Sequence, residues 1–271
     1  MRVFCVKALS VGFTAIVLMF GPTNLIHAGN LAVNNGSFTN FTGGNSGAPS
    51  QLAYSGHTGT GYTTLTDWTV TGGTYGFLMG SGSADTTGSY SPQFGNNFYL
   101  WGPGSGGGGV SNGLTASSPD GGNYLALDAA SSYRGGGISQ SITGLTANSY
   151  YTVTFDWAGA QQHGFDGTTT EQVQVSLGSD VQSTVVLTNA SHGFTGWRQQ
   201  SFTFKADAAT DVLNFLAIGT PDGVPPFVLL DGVSLSAAPV PEPGTLALSA
   251  LGIIALVAIR SRRRGKTTVV A

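Results

Sequence analysis

The sequence predicts an all-β protein: an antiparallel jelly-roll β-sandwich, with a signal peptide before it and a single transmembrane helix after it. Three observations carry this. Period-two alternation recurs through the middle of the chain, turn residues punctuate it, and no long segment of period 3.6 occurs between the two ends. Composition agrees with a folded, loop-rich chain: of 271 residues 42 are glycine and 8% are charged, yet 41% are hydrophobic. Disorder needs low hydrophobicity with high net charge, which is the opposite combination.

The strands follow in order. Tyr151, Val153, Phe155 and Trp157 alternate with Thr152, Thr154 and Asp156; Val173, Val175 and Leu177 alternate with Gln172, Gln174 and Ser176; Phe202 and Phe204 alternate with Ser201, Thr203 and Lys205. Each reads as a strand with one face buried and one wet. Residues 211–219 and 226–236 are more continuously apolar, as central strands are. Further strands are expected at 30–38, 66–71, 74–79, 97–101, 123–128, 136–143 and 182–188, about ten to twelve in all. Residues 39–66 and 80–122 are long Gly/Ser/Thr-rich connections, and Asp120-Gly121, Asp166-Gly167 and Asp222-Gly223 read as turns.

Residues 1–28 have the three parts of a secretory signal: Arg2 and Lys7, an apolar stretch at 8–20, and Ile26-His27-Ala28 before Gly29. The exported domain is then 29–238. Cys5 is the one cysteine, so the mature domain has no disulfide. Between 29 and 238 there are three basic residues and twelve acidic ones, a net charge of −9. Such a surface repels phosphate backbones, which argues against nucleic-acid binding.

Residues 239–264 read "PVPEPGTLALSALGIIALVAIRSRRR". The uncharged stretch Thr245–Ile259 spans about 22 Å as a helix, short of a hydrocarbon core of ~30 Å. The arginines after it favour the cytoplasmic side, with 265–271 as a short tail and the sandwich outside. Pro241, Glu242 and Pro243, the apolar helix at about 244–259, and Arg260, Arg262, Arg263 and Arg264 together resemble the PEP-CTERM sorting signal of Gram-negative, exopolysaccharide-producing bacteria. The resemblance implies recognition by an exosortase, a membrane-embedded cysteine transpeptidase that cuts near the Pro-Glu-Pro. It implies a transient stay in the inner membrane, then release to the outer surface or extracellular matrix. The tail Gly265–Ala271 runs longer past the arginines than such tags usually do.

The central region resembles the galactose-binding-like jelly rolls of carbohydrate-binding modules, through "NLAVNNGSFT", "GGNYLALD", "GGGISQSITGLTANSYYTVTFDWAG", "WRQQSFTFKA" and "LLDGVSL". Such modules often hold a structural calcium through an acidic residue after the "GSF". Thr39 stands there, although Asp231 is kept, so no cofactor is expected.

Chemistry-bearing patterns are sparse. His57, His163 and His192 lack HExxH spacing, no GxSxG elbow occurs, and "GPGSGGGG" at 102–109 is without the GK[ST] of a phosphate loop. The expectation is a non-enzymatic protein. Pyranose rings pack their C–H faces on aromatic rings, while amides and carboxylates bond the hydroxyls. Candidate glycan-binding residues are therefore Tyr54, His57, Tyr62, Trp101 and Tyr133, with Gln161, His163 and Asp166 of the 159–170 loop. Trp68, Trp157 and Trp197 are assigned to core packing. The functional expectation is an exported surface or matrix protein that binds or organises exopolysaccharide in a biofilm or floc. The alternatives are a structural or adhesive protein with protein partners, a secreted glycan hydrolase, and an ice-binding protein.

Overall fold

The computed structural model describes residues 31–45, 49–73, 75–80, 90–92, 96–103, 110–133 and 136–238, with Gly252, Ala255 and Leu256. The expected signal peptide, the Pro-Glu-Pro and the arginine cluster lie outside the described residues. So does nearly all of the expected membrane helix. Among the described residues no helix is long and apolar enough to cross a membrane.

The strands in chain order are β1 Phe41–Gly43, β2 Thr63–Leu65, β3 Thr69–Thr71, β4 Gly76–Met79, β5 Tyr90–Ser91, β6 Asn96–Asn97, β7 Tyr124–Asp128 and β8 Gly137–Thr143. They continue as β9 Tyr150–Gln161, β10 Thr169–Leu177, β11 Asp180–Ser183, β12 Leu187–Asn189, β13 Arg198–Lys205, β14 Thr210–Thr220 and β15 Pro226–Ala237. Two antiparallel sheets face each other, ordered β13-β9-β15-β7-β4 and β11-β10-β14-β8-β3, with β12 also on β10. From β7 onward the chain crosses between sheets at almost every step. The results are β7-β15-β9-β13 opposite β8-β14-β10-β11, the strand order of a jelly roll.

The alternation read from the sequence becomes the core. Val153, Phe155 and Trp157 of β9 meet Val173, Val175 and Leu177 of β10, Leu213 and Phe215 of β14, and Leu230 of β15 between the sheets. The free edge of β13 is closed by side chains of β11. Gln182 donates to the Thr203 carbonyl at 2.7 Å and Asp180 accepts from the Lys205 amide at 3.0 Å, leaving less open edge for another chain to pair with.

A second apolar cluster lies on the outer side of the β9-β15-β7-β4 sheet. Phe77, Tyr124, Ala126, Ala158, Ala160, Phe227 and Leu229 are buried there under Phe98, Leu100 and Leu114. Phe77 and Phe98 stack at 3.8 Å. Every residue of β7 is buried because both faces of the strand are covered.

Three expectations are corrected. Residues 30–38 were expected as a strand, but residues 34–37 form a turn, with Asn35 and Phe38 in left-handed backbone conformations at φ 51° and 49°. The connection at 39–66 is not plain loop, since β1 and β2 pair within it. The strand expected at 182–188 is two strands, β11 and β12, which flank Thr184 as its side chain accepts from the Val173 amide.

Candidate functional site

The second cluster also delivers the site. With Phe98 and Leu100 anchored, residues 99–101 lie along the end of β9: Trp101 N–H donates to the Gln161 carbonyl at 2.9 Å and His163 N–H to the Tyr99 carbonyl at 3.0 Å. Trp101 is thereby set against two histidines. His192 stacks on it at 3.8 Å and 29°, and His163 lies tilted at 4.4 Å. The indole N–H is committed to the Phe165 carbonyl at 2.9 Å. Phe165 itself is exposed. On the open side, Asp166 meets His192 Nε2 at 2.5 Å. This end of the sandwich thus presents aromatic faces beside an exposed carboxylate.

Gln161, expected to bond sugar hydroxyls, is corrected to a supporting role. It is fully buried, its amide donating to the Gly167 carbonyl and accepting from the His192 amide. It positions His192, whose backbone is left-handed at φ 61°. Asn112 gives a second support. Its Nδ2 donates to the carbonyls of Trp101 at 2.8 Å and His192 at 2.9 Å, tying two walls that are 91 residues apart in sequence. Asn112→Ala should leave both part-buried carbonyls short of a donor and lower stability by about 1–2 kcal/mol, read by denaturant unfolding with Trp fluorescence. Asn112→Ser, which keeps one donor, should recover part of that loss.

Three other candidates meet elsewhere. Tyr54 and His57 close a two-residue turn through reciprocal backbone hydrogen bonds, Gly56 supplying the positive φ of 83°. Their rings stack at 4.3 Å, and Tyr62 stands edge-on to His57 at 6.2 Å. Burial holds both tyrosine hydroxyls above their ordinary pKa. Tyr62 is only 9% exposed, so it offers a ligand an edge rather than a face. Tyr133 ends the single-turn 3-10 helix Ser131–Tyr133, and its side chain lies outside what is described. Trp68 and Trp157 are buried as expected, and Trp197 packs partly buried on the second cluster.

Among the described residues three carboxyls are fully buried: Asp128, Glu171 and Asp231. Burial pushes them up to about 7, about 8 and about 7. Each keeps one oxygen without a hydrogen-bond partner, in keeping with a protonated group. Asp231 is the register partner of Asp156, but Ser118 donates to it and covers it. Asp231 is therefore closed to a glycosidic bond, while Asp156 stays half-exposed. The calcium implied by the resemblance does not fit here. Thr39 brings a methyl toward Gly122, Asp231 is turned to Ser118, and among the described residues no three His, Cys, Asp or Glu side chains are placed to hold a metal.

Residues 239–264 match the PEP-CTERM protein-sorting motif. The chain carries this sorting signal. The motif implies an exported, exosortase-sorted surface protein that is transiently anchored in the membrane. Residues 107–233 match a family described as a protein of unknown function, DUF642. No curated protein matches the chain. Among solved structures it is similar to the N-terminal cellulose-binding domain of Cellulomonas fimi β-1,4-glucanase C, at 17% identity over 43% of this chain and 80% of that one, with TM-score 0.26. It is also similar to the CBM22-2 xylan-binding domain of Paenibacillus barcinonensis Xyn10C, at 13% identity, 65% and 94% coverage and TM-score 0.33. A third is TmCBM61 in complex with β-1,4-galactotriose, at 16% identity, 64% and 90% coverage and TM-score 0.31. The strand order defines the jelly roll of the PEP-CTERM chain independently of these distant similarities.

Proposed function

We propose that the exported domain is a non-enzymatic surface or matrix protein that binds exopolysaccharide and organises it in a biofilm or floc. The observation that carries this reading is the aromatic end surface of Trp101, His163 and His192, with Asp166 at its rim. Aromatic faces take the C–H side of a pyranose, and the carboxylate and imidazole take its hydroxyls. The scarcity of basic residues in 29–238 selects against phosphorylated or strongly anionic ligands. Sorting delivers the domain to where such polymers are. Exosortase is the processing partner, acting at the Pro-Glu-Pro after the domain has crossed the membrane.

The buried state of Asp128, Glu171 and Asp231 supports a binding rather than a hydrolytic role, because a glycosidase needs two carboxyls facing one open bond. Glycan arrays and pull-down from the host's own matrix test the reading. Retention on a neutral or mixed polysaccharide without release of reducing ends is expected. Release of reducing ends that stops when one carboxylate is replaced would turn the reading to a hydrolase. Failure to bind any polysaccharide, the host's included, would end it.

A further inference from the structure

A depression of about 540 Å³ opens on the other sheet, lined by Asn34, Asp67, Thr69, Ser139, Ser141 and Val212 over Trp68 and Gln140. Its size is that of ligand clefts, which run from roughly 300 to 1,000 Å³. Its location follows from register. Ser139 and Ser141 alternate outward on β8 while Ile138 and Ile142 point into the core, and Thr69 pairs with Ser139 from β3. The rim is built in advance. Gln140, 5% exposed, accepts from the Asn34 amide at 2.8 Å and donates to the carbonyls of Asn34 at 2.9 Å and Asp67 at 3.1 Å. The Trp68 indole N–H donates to the Asn35 carbonyl at 3.0 Å. Asp67 is held in a left-handed conformation at φ 66°. A rim already ordered costs little to order on binding.

The lining chemistry names the ligand class. Hydroxyls, an amide and one carboxylate converge beside the exposed Val212, with Trp68 only 5% exposed beneath them, and among the described residues neither lysine nor arginine lines the depression. An anionic sugar would meet Asp67 without a compensating cation. A neutral, hydroxyl-rich saccharide would meet donors, acceptors and the apolar Val212. We propose that this depression is a second binding site for neutral saccharide, making the domain a bivalent cross-linker of polysaccharide. The proposal rests on the polysaccharide reading of the Trp101 surface, and adds to it a separate site.

The separation of the two sites is what makes bridging possible. Thr220, at the far end of β14, pairs with Thr170 at the start of β10, beside the 161–168 loop that carries His163 and Asp166. Val212 lies eight residues back along β14, roughly 26 Å away at 3.3 Å per residue. A short oligosaccharide occupies one site at a time, whereas long chains can be joined through both. Two linked sites hold a polymer surface far more tightly than either alone.

The test uses the exported protein and beads coated with the neutral fraction of the host's exopolysaccharide. Two variants separate the sites: Trp101→Ala, and a triple variant with Asp67→Asn, Ser139→Ala and Ser141→Ala, which removes the carboxylate charge and both hydroxyls without enlarging any side chain. The parent should clump the beads. Each variant should still adsorb, about 10-fold or more weakly, and clump none. In the unaltered protein, titration with oligosaccharides from partial hydrolysis of the same fraction should shift the Val212 methyl resonances, a readout independent of how the variants fold. Clumping by the triple variant equal to the parent, or an unmoved Val212 when the parent binds, overturns the second site and leaves the Trp101 reading standing. A parent that neither adsorbs nor shifts Val212 overturns both.

Discussion

Raising the pH from 5 to 8 should destabilise the folded domain, and Glu171 should contribute the largest single share. Glu171 projects from β10 into the core beside Gly159 of β9, where a Cβ on residue 159 would sit 2.6 Å from its carboxylate oxygen. Among the described residues only Thr169 donates to the carboxyl, and burial pushes its pKa from 4.5 up to about 8. A group whose folded pKa lies above its unfolded value binds more protons when folded. Its contribution is whole below pH 4.5 and is lost as pH rises toward 8. At about 1.4 kcal/mol per pKa unit the loss reaches on the order of 4 kcal/mol for Glu171. Asp128 and Asp231, raised from 3.8 to about 7, add losses of the same sign.

Two exposed carboxylates act oppositely. The Ser179 amide holds Asp207, and the Ser131 hydroxyl holds Asp222, below the ordinary range, so their contributions vanish as pH falls through those lowered values. Thermal unfolding should therefore show its maximum at or below about pH 4 and a melting temperature more than about 10 °C lower at pH 8. Glu171→Gln should remove roughly half of the decline between pH 6 and 8, with Asp128 and Asp231 carrying the rest. A flat profile in the parent over that range, or an unchanged slope in Glu171→Gln, would contradict a buried, protonated glutamate.

Trp101→Ala should weaken polysaccharide binding about 30-fold while leaving the fold in place. Trp101 is partly exposed, anchored to the fold by its backbone and by the indole bond to Phe165, and its ring is the surface on which His192 and His163 rest. Removing a central aromatic anchor typically costs about 2 kcal/mol or more of binding. Calorimetric titration with the host's exopolysaccharide should show the loss, with far-ultraviolet circular dichroism unchanged. His163→Ala should cost less, because it leaves the Trp101–His192 stack. Equal affinity in Trp101→Ala and the parent would move the binding surface elsewhere on the domain.

Strands packed against a single core were legible in the sequence. The alternation at 151–157 and 172–177 maps onto β9 and β10 residue by residue, because one buried face and one wet face write a period of two. The continuous apolar run at the start of β15 was read as a central strand, and it is one. The reason is that Phe98, Leu100 and Leu114 cover its outer face. A loop folding onto a sheet leaves no periodic trace. Neither Phe98 against Phe77 nor the placement of Trp101 that follows was visible beforehand.

The site was half legible. Trp101, His163 and Asp166 were singled out by residue type and loop context, and the fold places them at one end of the sandwich. His192 and Asn112 were missed, since each is joined to Trp101 across about 90 or 11 residues by contacts that no spacing rule encodes. Tyr54, His57 and Tyr62 form a group of their own, because a turn and a strand neighbour gather them at β2 rather than at the end of β9.

Affinity electrophoresis of the exported protein, through gels that contain increasing amounts of its host's exopolysaccharide, tests the central claim most directly. Polysaccharide binding at the aromatic end surface predicts mobility that falls steadily with polymer concentration for the parent and much less for Trp101→Ala. Parent mobility that does not change at any polymer concentration would contradict it.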